Sequence, residues 1–469
     1  MFNQFVALLS MTIGTSSAAT LHNPEPALDY QAEAQSARQL LQELVEVNTT
    51  NPPGNEQRAV EIVAKRLEKA GIPYEITEFA PGRQNITARL KGDGTEKPVL
   101  LIAHLDVVGA DGQSWTVDPH KVTEKDGYLY GRGVADDLGM AVVNLEVFLM
   151  LKRSGQPLFR DVIFALTGDE ESGGGGVQYV LKNKPESLSA GIAFNELGGP
   201  MLGADGKVRL VALQSAEKTY QDFELVTHGK TGHASVPLAD NAIYRLARAL
   251  DRLGKFKFPA RLLPVTRAYF EKRAAVEPPS LAAAMRSLAQ SGHTLPVAAL
   301  KIVEADPILS ANLHTTCVAT ILNGGTRVNA LPAEAKASVN CRILPDESGE
   351  DVQRRLAQVI GDEGVQIQRI GVFGKAGPSP VTGVDLDKVR AVIAQTWVGV
   401  PIIPFLSLGA TDSRYLRGAG TPSYGLNPLP MTEGDMRRAH GIDERIPVGS
   451  LRTGIELLHK IMLELVAKN

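Results

Sequence analysis

Cysteine is nearly absent from this chain, which has two, Cys317 and Cys341, in 469 residues. That excludes a disulfide-dense scaffold and a zinc site built from a cysteine cluster. Both fall in stretches that read as strands of one region. A disulfide stays open in an oxidising compartment, but two buried free thiols are the expectation. An excess of basic charge is missing too. The net charge is −3 and the pI about 6.3, which argues against nucleic acid as a partner. Long apolar runs are also lacking, and none approaches the 18 residues that a membrane span needs, so no membrane association is expected. The one short apolar run of note is Phe5–Gly14, followed by small residues at Thr15–Ala19. It reads as a secretory signal peptide over residues 1–19, although Met1–Gln4 carries no Lys or Arg. A periplasmic or secreted location follows, and no cysteine stands near the cleavage site to carry a lipid anchor.

What is present is an ordinary globular composition, 43% hydrophobic and 22% charged. The length calls for two domains. Ala34–Val47 and Glu56–Ala70 have apolar residues at helical spacing, and Tyr74–Phe79 and Asn85–Leu90 read as strands. Three apolar strands then alternate with helical stretches: Leu100–Val108, Val162–Thr167 and Gly191–Phe194. Strand–helix alternation predicts an α/β fold, a mostly parallel sheet flanked by helices. From about Gln214 the pattern changes to two strand–helix pairs, Tyr220–His228 with Ala242–Leu253 and Ala335–Leu344 with Gly349–Ile360. These predict a small α+β domain with an antiparallel sheet. Lys255–Leu313, Pro-interrupted and helical in pattern, reads as an insertion within it. The parallel pattern resumes after Gly374–Pro380 and closes with the helix Gly449–Ala467. The expected division is a catalytic domain over 25–213 and 374–469, interrupted by an inserted lid over 214–373.

The three apolar strands end in unusual company. Leu100–Val108 runs into His104 and Asp106, two residues that share a face by strand alternation. Val162–Thr167 ends in Asp169-Glu170-Glu171, and Gly191–Phe194 ends in Asn195-Glu196. Asp136-Asp137 precedes a helix, and His440 sits in a long loop. In parallel sheets ligands bind at the carboxyl ends of the strands. His104, Asp136, Glu171, Glu196 and His440 together offer two imidazoles and three carboxylates, enough for two divalent ions with one carboxylate shared. Zinc, cobalt or manganese suits such donors. Glu170, beside Glu171, is the natural general base, and Asp106 the natural support for His104. Any one of these residues alone could be bland. Asp136 could cap a helix, Glu170-Glu171 could be a solvated turn, and His440 a surface residue.

The joint pattern resembles the M20 family of metallopeptidases and amidohydrolases, which includes carboxypeptidases, aminoacylases and desuccinylases. The motifs are His104-Leu105-Asp106, Gly131-Arg132-Gly133 with Asp136-Asp137, Asp169-Glu170-Glu171-Ser172-Gly173, Asn195-Glu196, and Ala439-His440-Gly441 with Glu444. The resemblance implies that His104, Asp136 and Glu196 hold one metal, with Asp136 bridging to a second held by Glu171 and His440. It implies Glu170 as base and Asp106 as the residue orienting His104. In the inserted domain, Gly229–Ser235 resembles a lid motif whose histidine, here His233, helps polarise the scissile carbonyl, often from the partner subunit of a dimer. Gly324–Pro332 resembles a segment whose Asn, here Asn329, contacts substrate. Gly409–Arg414 resembles one whose Arg, here Arg414, binds a substrate carboxylate. Two departures, Leu138 where Lys is common and Gly109 where Pro is common, touch no ligand. The long insertion resembles the carboxypeptidase S and aminoacylase-like branch. The implied activity is hydrolysis of an amide bond in a small peptide or N-acyl amino acid, by a homodimer joined through the lid. An aminopeptidase or dipeptidase reading a free amine is the alternative within enzymes. A non-catalytic binding protein on the same scaffold is the alternative outside them.

Overall fold

Apolar runs bounded by turn residues become the strands of one ten-stranded sheet. This computed structural model describes residues 28–371 and 376–468, and the expected signal peptide lies outside them. In chain order the first strands are β1 (Tyr74–Ala80), β2 (Arg83–Leu90), β3 (Val99–His104), β4 (Val162–Thr167), β5 (Ile192–Asn195), β6 (Gly199–Leu202) and β7 (Val208–Glu217). Every residue of β3, β4 and β5 is buried. A strand covered on both faces has no solvent side, so its sequence is apolar throughout instead of alternating. The faces still differ. Val99, Leu101 and Ala103 enter one core with the helices Tyr30–Val47, Leu138–Ser154 and Ser450–Val466, while Leu100 and Ile102 enter another with Val177 and Val180 of the helix Gly175–Asn183.

A second, four-stranded sheet follows. It contains β8 (Thr219–His228), β9 (Thr316–Gly324), β10 (Glu334–Ile343) and β11 (Val365–Ile370), in the order β9-β10-β8-β11, with antiparallel pairing throughout. Its apolar face packs under the helices Ala242–Lys255 and Gly349–Ile360, the α+β arrangement expected. The insertion forms four short helices between Pro264 and Ala311, with a core of its own around Phe270, Met285, Leu288 and Val303. It does more than lengthen the lid. Leu263 and Val265 also pack with Ala216, Leu344 and Leu406, so the insertion seals the junction between the two sheets.

The chain then returns to the large sheet as β12 (Ile402–Ser407), β13 (Ser423–Gly425) and β14 (Met431–Thr432). The strand order is β1-β2-β4-β3-β5-β13-β7-β6-β14, with β12 beside β7. The centre, β4-β3-β5-β13, is parallel, and antiparallel neighbours flank it on both sides. The expected boundary at 213/214 falls inside β7, which stays in the large sheet to Glu217. Among the described residues no helix is long and apolar enough to cross a membrane.

One expectation is overturned. Cys317 and Cys341 are bonded to each other, not free. They face one another across β9 and β10, with Cα atoms 4.1 Å apart. Strand register decides this, and register cannot be read from either strand alone. Closing a loop over a sequence separation of 24 should stabilise the lid by roughly 3 kcal/mol through chain entropy. Unreduced protein is expected to show no reactive thiol in denaturant and two after reduction. Cys317→Ala with Cys341→Ala should lower the lid's unfolding midpoint, and an unchanged midpoint would contradict the bond.

Candidate metal centre

His104 is the last residue of β3 and is buried. Its Nδ1 lies 2.8 Å from the main-chain oxygen of Asp106, which fixes the ring and turns Nε2 toward Asp136, 3.2 Å from Oδ1. The other oxygen of Asp136 lies 3.2 Å from Nε2 of His440, and Glu171 Oε2 lies 3.0 Å from the same nitrogen. Asp136 thus stands between two imidazoles, one oxygen toward each. The ligand atoms of His104, Asp136 and Glu171 come within 4.8 Å of one another, and so do those of His104, Glu170 and Glu196. The five expected ligands are brought together from separate segments, and Glu170 joins them at the same point as Glu196.

The electrostatics are those of a cluster short of positive charge. Burial pushes the carboxyls of Glu170, Glu196 and Asp137 well above the usual carboxylate range; neighbouring carboxylates push the same way. Burial also raises Asp136, but the bonds from His104 and His440 outweigh it and hold this carboxylate below its ordinary value. Bonds to Asp136 and Glu171 lift His440 to about 10. Buried oxygens of Glu171, Glu196 and Asp137 have no hydrogen-bond partner. Orphaned buried carboxylate oxygens are costly, and a cation offsets that cost. Ligand atoms about 2.1 Å from a tetrahedral ion sit roughly 3.4 Å apart, close to the separations found at Asp136. The donors therefore fit divalent ions.

The Asp106 carboxylate departs from expectation. It stands 3.7 Å from His104 Nδ1, beyond hydrogen-bond reach, and instead accepts from the main-chain N–H groups of Glu170 and Glu171, both at 3.1 Å. Asp106 orients His104 through its backbone and holds the Glu170–Glu171 turn with its side chain. Asn51 was missed by the sequence reading. Its amide donates to Asp106 at 2.7 Å and to Asp169 at 3.1 Å. Nothing in Asn51-Pro52-Pro53-Gly54 beyond a helix break signals this. Glu444, part of the Ala439-His440-Gly441 motif, takes a structural role. It is fully buried, pairs with Arg132 at 2.7 Å, and accepts from the N–H groups of Gly133, Ala135 and Asp136. Arg132 also donates to Gly441 O at 3.0 Å, so one buried ion pair fixes the loops of both Asp136 and His440.

The substrate-side residues are spread more widely. Arg414 stacks on the ring of Tyr415, 4.6 Å from its centroid. Burial depresses the guanidinium of Arg342, a lid cation, and the charge of Arg414 adds to that. His233 and Asn329 are exposed. A short ladder, Gly232–His233 against Ala330–Leu331, brings their segments together, and Ala234 N–H donates to Asn329 O at 3.0 Å. The His233 ring is hydrogen-bonded within its own turn, to Ser235, 2.6 Å away.

The sequence profile described as Peptidase family M20/M25/M40 matches residues 100–464. The chain belongs to that family. Among curated relatives it is 29% identical to a Xenopus tropicalis N-fatty-acyl-amino acid synthase/hydrolase, over 79% of this chain and 72% of the relative. It is 28% identical to a probable carboxypeptidase S-like protein of Dictyostelium discoideum, over 79% and 72%. It is 24% identical to rat aminoacylase-1A, over 91% and 95%. Among solved structures, an M20 metallo-carboxypeptidase of Sulfolobus solfataricus shares the fold with a TM-score of 0.68 at 18% identity, covering 92% of this chain and 98% of that one. This M20 chain is an enzyme of the metallopeptidase and amidohydrolase group. Glu444→Gln should leave Arg132 buried without a counter-charge, at a cost of about 3–5 kcal/mol. It should also weaken metal binding roughly 10- to 100-fold. Chelator competition and denaturant unfolding read the two effects, and wild-type values in both would remove Glu444 from the support of this site.

Proposed function

We propose that this M20 enzyme hydrolyses the amide bond of a small peptide or N-acyl amino acid that carries a free carboxylate on the leaving side. The observation that carries this is Asp136 held between His104 and His440, with orphaned oxygens of Glu171 and Glu196 beside it. His104, Asp136 and Glu196 would hold one ion, and Asp136, Glu171 and His440 a second, most simply zinc, with cobalt or manganese suited to the same donors. Bound divalent ions supply Lewis acidity, polarising the carbonyl and lowering the pKa of water. Glu170 takes the proton from the attacking water and returns it to the leaving amine. The Asp106 carboxylate keeps Glu170 in place by its bond to the main chain. Arg414 binds the carboxylate of the leaving amino acid, and Arg342 adds a second positive charge on the lid side. An aminopeptidase would instead need an acidic group to meet a free amine, so a guanidinium tied through Tyr415 to the turn of Glu170 favours the carboxylate reading. The relatives' names agree, since fatty-acyl amino acid hydrolase, carboxypeptidase and aminoacylase all concern an amino acid's amide bond.

His233 would serve the active site of a second subunit, since its own chain leaves it exposed. A homodimer through the lid would bury the outer strand β9, where Val318, Ile321 and Leu322 are more than half exposed. The disulfide supports a periplasmic or secreted location, because such bonds persist in oxidising compartments.

Metal analysis is expected to find two divalent ions per chain, and a chelator should abolish turnover of dipeptides and N-acyl amino acids. Failure of the metal-loaded enzyme on a broad panel of both would defeat the proposal, and retained turnover of N-blocked substrates would exclude the aminopeptidase version. Glu170→Gln should lower kcat by at least 100-fold with metal content unchanged; loss of metal would place Glu170 among the ligands. Leu322→Glu should give a monomer by light scattering with little activity. A fully active monomer would rule out His233 acting across subunits.

A further inference from the structure

The hydroxyl of Tyr415 lies where the loop of Arg414 meets the turn that carries Glu170 and Glu171. It is 2.6 Å from Gly173 O, 2.8 Å from Nη2 of Arg414 and 3.1 Å from Nε2 of Gln178. The direction of each bond is fixed by chemistry. A carbonyl can only accept, so the single phenolic proton goes to Gly173, and the two N–H groups donate to the oxygen's lone pairs. The hydroxyl is thereby fully used. The guanidinium of Arg414 is held on two sides, by that oxygen and by the face of the ring. The ring itself is wedged against Gly174, where φ is +70° and a Cβ would come within 2.5 Å of Tyr415 Cε2. Gly173 and Gly174 close the turn opened by Asp169, whose carboxylate accepts from Gly175 N–H at 3.0 Å. Burial raises the Tyr415 phenol above its usual value, so it stays a donor across the working range.

We propose that Tyr415 is a positioning residue that presents Arg414 to the substrate carboxylate and ties it rigidly to the turn carrying Glu170. This rests on the reading of Arg414 as the carboxylate anchor. It makes selectivity for a free carboxylate depend on a phenolic oxygen that touches no substrate.

The test compares one substrate as free acid and as carboxamide, with Tyr415→Phe, Arg414→Met and the double variant. Tyr415→Phe keeps the ring and loses the oxygen. It should raise KM for the free acid about tenfold, the scale of a lost hydrogen bond to a charged group, and leave KM for the carboxamide unchanged. kcat should fall by a similar small factor for both, because the Glu170 turn is loosened. In the Arg414→Met background, adding Tyr415→Phe should no longer change the ratio of the two KM values. Should Tyr415→Phe fail to fold, Gly174→Ala, which displaces the ring, should give the same rise for the free acid only. If Arg414→Met leaves the free-acid preference intact, the anchor reading fails. If Arg414→Met removes the preference but Tyr415→Phe and Gly174→Ala leave it untouched, the anchor stands and the role of Tyr415 is overturned. Equal KM changes for both substrates also overturn it.

Discussion

Carboxylates crowded together repel one another, and at the mouth of the large sheet at least five stand together, Glu196 and Asp137 buried and the other three half-buried. Asp136, Glu170, Glu171 and Glu196 surround His104, and Asp137 lies beneath, accepting from its main-chain N–H at 3.3 Å. Two imidazoles do not balance that charge. Each carboxylate buried without a partner costs several kcal/mol, more in sum than a typical domain can spare. The arrangement calls for added positive charge, and burial with neighbouring carboxylates pushes Glu170, Glu196 and Asp137 upward for the same reason. Much of the surrounding structure can be understood as the means of holding these groups together against their repulsion. Asp106 fixes the Glu170–Glu171 turn, Asn51 fixes Asp106, and the Arg132–Glu444 pair fixes the loops on the opposite side.

The parallel centre of the sheet makes this convergence possible. Strands β3, β4 and β5 run the same way, so the residues that follow them leave the sheet at one edge. Antiparallel neighbours would have sent alternate ligands to opposite ends. The turn after β4 needs an unusual backbone, and Asp169 adopts a φ of +70°, a conformation that a non-glycine residue seldom takes without compensation. The compensation is visible. The Asp169 side chain accepts from Gly175, Asn51 and Arg83, and Arg83 is itself held by the fully buried Glu56.

These two facts explain what the sequence discloses. His104, Asp136, Glu171 and Glu196 are legible because an imidazole or carboxylate at the end of an apolar strand, or in a loop beside one, conflicts with burial unless something needs it, whereas the exposed His440 is legible only through its motif. The strands are legible for the same reason, since runs such as Val162–Thr167 are apolar without interruption. The contacts of Asn51, Glu444 and Tyr415 are not legible, because each acts through a partner 55, 312 or 242 residues away, and no local pattern records such a distance. The disulfide was misjudged on the same ground, since Cys317 and Cys341 each look like any small apolar residue until the register of β9 and β10 pairs them. Asp106 shows the limit within a motif. Its spacing from His104 is right, but which of its atoms meets the ring depends on where the Glu170 turn folds back.

The lid raises a different question, because the two substrate-side residues expected there, His233 and Asn329, are exposed. Arg342 lies on β10 and Arg414 follows β12, one cation from each sheet, and Ala216, Leu263, Val265, Leu344 and Leu406 form an apolar junction between the sheets. The insertion closes that apolar junction and so limits how far the two sheets can swing apart. His233 and Asn329 have no such constraint. They sit at the exposed end of a two-stranded ladder, joined to each other and not to the site. Within one chain, then, the imidazoles and carboxylates are drawn together, while the histidine expected to polarise the carbonyl is exposed. The homodimer proposed above would offer that histidine another subunit's cleft, with the apolar edge of β9 as its seam.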